Sequence, residues 1–150
     1  MKSRMTNPAQ VNPAAMKAIL ALGKATEGQG VPTATLELVK LRASQINSCS
    51  FCVNMHSADM RKAGESDERL FTVAAWREAP YFTEAERVAL ELTEVLTRLA
   101  DHPDPVTDEL WARAQEHYDE QAISALVLAI ANINTWNRVN AAIRQVAGSW

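Results

Sequence analysis

The sequence predicts an all-α fold, a compact bundle of about seven helices. Three observations carry this expectation. Strand-type alternation persists nowhere, apolar residues recur at helical spacing throughout, and Gly and Pro punctuate the chain at intervals suited to helix ends. At 150 residues with 47% hydrophobic content, the chain reads as one domain, residues 1–150, able to bury a core.

The first helix begins after Asn12, a good N-cap, with Pro13 at its first position. It carries Met16, Ile19, Leu20 and Leu22 and ends before Gly28-Gln29-Gly30. The second follows Pro32, and Leu36, Val39, Leu41 and Ile46 mark it as largely buried. A third starts around Cys49 and stops at Gly64, a suitable C-cap. Ser66 opens the fourth, with Leu70, Phe71, Val73, Ala74 and Trp76, and Pro80 ends it. Thr83 and Glu86 form a capping box for the fifth, which runs to about Ala100 through Val88, Leu92, Val95, Leu96 and Leu99. Pro103-Asp104-Pro105 breaks the chain, and Thr107 caps a short sixth helix through Leu110, Trp111 and Ala114. The last is long, from about Glu120 to Ala147. Its wide apolar stripe (Ile123, Leu126, Val127, Ile130, Ile133, Trp136, Val139 and Ile143) suggests self-association, though one monomer core could also use it.

Bulk properties exclude several functions. A net charge of −3 with scattered Lys and Arg gives no basic stripe for nucleic acid. The most apolar run, Ala122 to Ile133, falls well short of the roughly 20 residues that span a bilayer. The N-terminus has charge but no apolar h-region, so the expected location is the cytoplasm. Thiols there stay reduced, and a lone Cys pair is more often catalytic or metal-binding than structural. A Cys49–Cys52 staple would close so short a loop that it removes only about 2 kcal/mol of chain entropy.

Those two cysteines are the only ones, and His56 follows them closely. Positions 49, 52 and 56 share one helical face. In the first turn of a helix, free N–H groups and the positive dipole end favour a thiolate, the nucleophilic form. His56 lies one turn beyond Cys52, where it can take the proton directly or through water. A hydroperoxide needs this kit: a thiolate to attack the terminal oxygen, a proton for the leaving alkoxide, and a second thiol to condense with the sulfenic acid. The thiol beside the base, Cys52, is the better candidate for first attack, and Cys49 for resolution. Glu37 lies in an apparently buried helix and is a candidate to orient His56 or relay its proton; alternatively it pairs with Lys40 or Arg42 at the surface.

Two other readings stand beside this one. Cys49, Cys52, His56 and Glu37 are a plausible zinc ligand set, although no second ligand pair lies elsewhere in the chain. The chain could also be a non-catalytic helical oligomerisation module with an inert Cys pair. His102 and His117 read as solvated, and Trp76, Trp111 and Trp136 as core or interface. Trp150 falls at the chain end, where fraying is usual. Arg138 is a candidate for a buried or intersubunit ion pair. Glu84, Glu86, Glu91 and Glu94 read as a solvated helix face.

Glu37 twelve residues before a Cys-x-x-Cys, with His56 four residues after its second Cys, resembles the AhpD-type alkylhydroperoxidase core of the carboxymuconolactone decarboxylase-like superfamily. The flanking words Leu41-Arg42-Ala43-Ser44-Gln45-Ile46-Asn47, Ala74-Ala75-Trp76-Arg77-Glu78 and Ile133-Asn134-Thr135-Trp136-Asn137-Arg138 extend the likeness over about residues 15 to 145. The resemblance implies an AhpD-like helical fold assembled as a homotrimer or homohexamer, and an alkylhydroperoxidase activity. It makes Cys52 peroxidatic, Cys49 resolving, and Glu37 and His56 a proton relay. It implies reduction by a dithiol or lipoylated protein, with no haem, flavin or metal required. Better-understood relatives carry a second His immediately before the second Cys; Phe51 stands here, so the relay has one member fewer. The decarboxylase branch of the superfamily is not marked by this Cys pair.

Overall fold

The computed structural model describes residues 1–149, and the fraying expected at Trp150 lies outside them. Eight α-helices follow in order: α1 (Pro8–Val11), α2 (Pro13–Ala25), α3 (Thr33–Ile46), α4 (Ser50–Lys62), α5 (Asp67–Thr72), α6 (Glu84–Thr97), α7 (Asp108–His117) and α8 (Glu120–Ile143). Short 3-10 turns occupy Val73–Ala75 and Leu99–Asp101.

The architecture is organised around α3, which packs on α4, α6 and α8. Leu36 and Val39 face one apolar cluster, with Val88, Leu92, Leu126 and Ile130 from α6 and α8. Leu38 and Leu41 face a second, with Met60, Val73, Trp76 and Leu90. Burial on two sides explains why α3 lacks a simple amphipathic stripe. Its remaining side carries Glu37, Lys40 and Ser44, and this side meets the Cys segment and α8.

The helix ends are specified locally. Asn12, Ser66, Thr107 and Asp119 each accept a backbone N–H of the first turn that follows. Thr83 and Glu86 form the full reciprocal capping box. Several expectations need correction. The four-residue α1, capped by Asn7, precedes the first expected helix; it is too short to leave a periodic signal. The fourth helix gives way to a 3-10 turn at Val73, the fifth stops at Thr97, and the eighth stops at Ile143 with Arg144 in a left-handed C-cap. Leu20, Phe71, Leu99 and Trp111 are exposed rather than core. Glu86 and Glu94 are buried, each 9% exposed, not solvated. Glu86 binds Arg69, and Glu94 accepts from Trp76 Nε1 at 2.9 Å and Arg42 Nε at 2.8 Å and pairs with Arg77. Arg138 makes no ion pair among the described residues; it donates to the Asn134 carbonyl and side chain.

Candidate functional site

The turn between α3 and α4 delivers the cysteines. Asn47 caps α3, and its amide donates to Asn134 Oδ1 and Asn137 Oδ1 of α8, both at 2.9 Å. Ser48 sits at φ 54°, a left-handed conformation that costs about 1 kcal/mol or more for a residue with a Cβ. The Asn47 anchor and the Cys49 N–H bond to the Ser44 carbonyl, 3.0 Å, hold it there. Cys49 is thus the N-cap of α4 rather than part of its first turn. Its Sγ accepts the Cys52 backbone N–H at 3.3 Å.

Cys49 and Cys52 are joined as a disulfide with Cα atoms 5.4 Å apart, and both are buried. Their sulfurs have different neighbours. Cys49 Sγ takes the helix-end N–H, whereas Cys52 Sγ accepts from the Asn140 amide of α8 at 3.3 Å. Cys49 lines an open cavity of about 420 Å³ with Asn47, Ser48 and Arg144. Cys52 lines an adjoining, more apolar cavity of about 290 Å³ with Phe51, Met55, Ile133 and Trp136, and the two share Asn140 and Gln145. A third cavity, about 220 Å³, reaches His56 and shares Leu20, Met55, Ile133 and Trp136 with the second.

His56 is buried, and its Nδ1 lies 2.8 Å from Glu37 Oε2. The other carboxylate oxygen, Oε1, accepts from Lys40 Nζ at 2.8 Å. Glu37 thus contacts both partners named for it, Lys40 through Oε1 and His56 through Oε2. Arg42 turns instead to Glu94. Burial pushes the Glu37 carboxyl up, but the hydrogen bond and charge of His56, together with Lys40, outweigh it and hold the group at about 2. An ionised Glu37 can only accept, so His56 Nδ1 carries the proton. In the neutral ring the lone pair then sits on Nε2, which is buried and has no hydrogen-bond partner among the described residues.

The structure thus joins Glu37 to His56 and Cys49 to Cys52, two pairs carried by α3, α4 and the turn between them, with α8 reaching the second pair through Asn140. Among the described residues, no three His, Cys, Asp or Glu side chains group as metal ligands would. His102 and His117 are exposed, as expected. The sequence reading missed Asn140 and its neighbour Asn7. The signal available was the run of asparagines in α8, since Asn132, Asn134, Asn137 and Asn140 interrupt an otherwise apolar helix and all four are buried.

An all-helical fold of this order, with a Cys-x-x-Cys at the start of α4, defines an AhpD-like protein. The chain belongs to the carboxymuconolactone decarboxylase family, whose model matches residues 13–95. It is 40% identical over 140 residues to the uncharacterized protein YdfG of Bacillus subtilis, covering 93% of this chain and 94% of that one. It is 36% identical over 106 residues to the uncharacterized protein YnjA of Escherichia coli, covering 71% of this chain and 57% of that one. Among solved structures, it resembles a protein of unknown function from Agrobacterium tumefaciens named as a candidate AhpD antioxidant defence protein. That match has a TM-score of 0.89 at 34% identity over 99% of this chain and 100% of the other. The debrominase Bmp8 shares the fold, with a TM-score of 0.81 at 20% identity over 93% of this chain and 74% of its own. No helix among the described residues is long and apolar enough to cross a membrane.

Proposed function

We propose that the chain is a thiol-dependent peroxidase that reduces organic hydroperoxides through a Cys49/Cys52 dithiol–disulfide cycle. The observation that carries this reading is a Cys pair at disulfide distance, formed by the N-cap and first turn of α4, the helix that carries a buried His whose Nδ1 is held by a half-buried carboxylate. Membership of the carboxymuconolactone decarboxylase family and the likeness, at 34% identity, to a candidate AhpD antioxidant defence protein support it.

In the cycle, His56 Nε2 takes the Cys52 proton, directly or through water. The Cys52 thiolate attacks the terminal peroxide oxygen and the O–O bond breaks. Cys52 becomes a sulfenic acid, and the alkoxide leaves as an alcohol with the proton that His56 returns. The Cys49 thiol then attacks Cys52 Sγ, releasing water and forming the disulfide. An external dithiol, free or on a lipoylated protein, restores both thiols and is itself oxidised to a disulfide. Glu37 keeps the His56 tautomer fixed and stabilises the imidazolium as it forms. Phe51, where relatives carry a second His, adds apolar wall to the cavity at Cys52, which favours an organic over a strongly polar peroxide. A homotrimer or homohexamer belongs to the same reading.

The test is stopped-flow consumption of a hydroperoxide panel with dithiol donors. Cys52→Ser should abolish turnover, and Cys49→Ser should allow a single turnover and leave Cys52 as a sulfenic or over-oxidised species by mass spectrometry. Full activity in Cys52→Ser would overturn the assignment of roles.

A further inference from the structure

The two sulfurs are served by different N–H donors, and only one of those donors comes from the helix end. The start of α4, which the sequence offered as the thiolate-favouring element for both cysteines, spends its N–H on Cys49. Cys52 faces a cavity whose walls hold no Asp, Glu, Lys, Arg or His among the described residues. The Asn140 amide donates to the Cys52 sulfur from the wall of this cavity at 3.3 Å, and in the proposed cycle the imidazolium that His56 becomes lies one turn along α4.

That amide has a fixed direction. The Ala9 backbone N–H can only donate, and it donates to Asn7 Oδ1 at 3.0 Å as the cap of α1. Asn7 must therefore point its Nδ2 the other way, and it reaches Asn140 Oδ1 at 2.9 Å. With its oxygen so engaged, Asn140 must turn its NH2 to Cys52. One backbone N–H thus sets the orientation of two amides in series. The Asn140 side chain is buried, so a donor placed there has been desolvated already and costs no reorganisation when the sulfur becomes charged.

We infer that Asn140 is the thiolate-stabilising donor of Cys52 and that Asn7 is a positioning residue that holds this donor in its productive orientation. The inference rests on the proposed thiol chemistry but concerns the thiolate alone. The charged groups around the sulfur are accounted for separately. His56 lies one turn along α4, and Glu37 and Lys40 of α3 act through it. Lys24 and Glu27 of α2 line the cavity at His56, and Arg144 at the end of α8 lines the cavity at Cys49. His56 faces Cys52 as its proton acceptor in the proposed cycle, the Arg144 backbone N–H donates to the Asn140 carbonyl, and among the described residues none of these groups hydrogen-bonds the linked side chains of Asn7, Asn140 and Cys52.

The experiment uses Cys49→Ser as background, because Ser is a good N-cap and leaves Cys52 as the single thiol. The rate of iodoacetamide labelling is followed against pH. Asn140→Ala should raise the Cys52 pKa by about one to two units, the size expected for loss of a hydrogen bond to a charged group. Asn7→Asp provides a variant that keeps the α1 cap. Its carboxylate offers Asn140 an acceptor where an N–H donor stood, so the Asn140 amide reverses and turns its oxygen to the sulfur. The Cys52 pKa should again rise. Gln10→Glu adds a like charge to the same cavity without touching Asn140, and should shift the pKa less. An unchanged pKa in Asn140→Ala overturns the inference, as does an equal shift in Asn7→Asp and Gln10→Glu, which would make the effect one of field alone. If Asn140→Ala does not fold, the comparison of Asn7→Asp with Gln10→Glu decides. The readout is a thiol titration rather than peroxide turnover. A chain that consumes peroxide with an Asn140-independent pKa defeats only this inference, and one with an Asn140-dependent pKa but no peroxide consumption defeats only the proposed activity.

Discussion

Replacing Glu37 by Gln separates the charge of the carboxylate from its shape, and the outcome can be worked from the structure. Glu37 titrates at about 2 in the folded chain against an ordinary 4.5. Between those values the unfolded chain binds more protons than the folded one. The stabilisation is therefore complete above about pH 4.5, declines as the pH falls and is gone below about pH 2. At 1.36 kcal/mol per unit the full difference would be about 3 kcal/mol. The Glu37 and Lys40 side chains are 20% and 21% exposed, so solvent screening reduces the expected contribution to about 1–2 kcal/mol. Urea unfolding followed by tryptophan fluorescence should find Glu37→Gln less stable than wild type by that amount near neutral pH. The gap should close as the pH falls through the acid range. A gap that stays constant with pH would mean that Gln merely packs badly, and no gap at all would mean that the Glu37–His56 and Glu37–Lys40 contacts contribute nothing. Either result refutes the reasoning. The Gln oxygen can still accept from Nδ1, so the tautomer should persist. Hydroperoxide turnover should then fall only by the difference between a charged and a neutral hydrogen bond, about 1 kcal/mol or roughly fivefold.

Other perturbations test the frame that holds the site. Glu94→Ala removes the acceptor of Trp76 Nε1 and Arg42 and leaves a guanidinium that is 13% exposed without its partner; a loss of about 3–5 kcal/mol in urea unfolding is expected, and a loss under about 1 kcal/mol would show that water replaces the pair. Leu126→Ala opens a cavity where α8 meets α3 and α6, at a side chain with no exposure. It should cost about 2–5 kcal/mol, and a small loss would mean that the cluster collapses around the gap.

The local features of this fold were the legible ones. The capping box at Thr83 and Glu86, the Asn12 cap and the Gly and Pro breaks are written within a few residues of where they act. The Glu37, Cys49, Cys52 and His56 set was legible for a similar reason: α3 and α4 are consecutive, so sequence spacing still governs who meets whom. Partners brought from far along the chain left no such trace. Glu94 meets Arg42 from α3 and Trp76 from just beyond a 3-10 turn, and Asn140 reaches Cys52 from the far end of the chain. A finer reading of α6 would have split its acids. Glu84 and Glu91, two turns apart, share a face and Glu86 falls on the opposite one, whereas Glu94 lies near Glu91 around the helix and is buried by partners brought from afar, Trp76 and Arg42.

The same distinction bears on how the site does chemistry. The sequence suggested one device, a helix start that activates both thiols. The structure separates the contacts: the Cys52 N–H at the helix end donates to Cys49, the Asn140 amide donates to Cys52, and Glu37 holds the His56 ring. Phe51 fits this division. A His before the second Cys would put another titratable group next to the sulfurs, whereas Phe51 lines a cavity without charged walls among the described residues. In such surroundings a thiolate is costly unless a preorganised donor meets it, and a single N–H there is worth more than the same group in water. Under the proposed chemistry, the Phe51 wall and the Asn140 donor are therefore two sides of one arrangement. Restoring a His at position 51 should make the Cys52 pKa less sensitive to Asn140→Ala than it is with Phe51, because the added imidazole supplies the sulfur with a second donor.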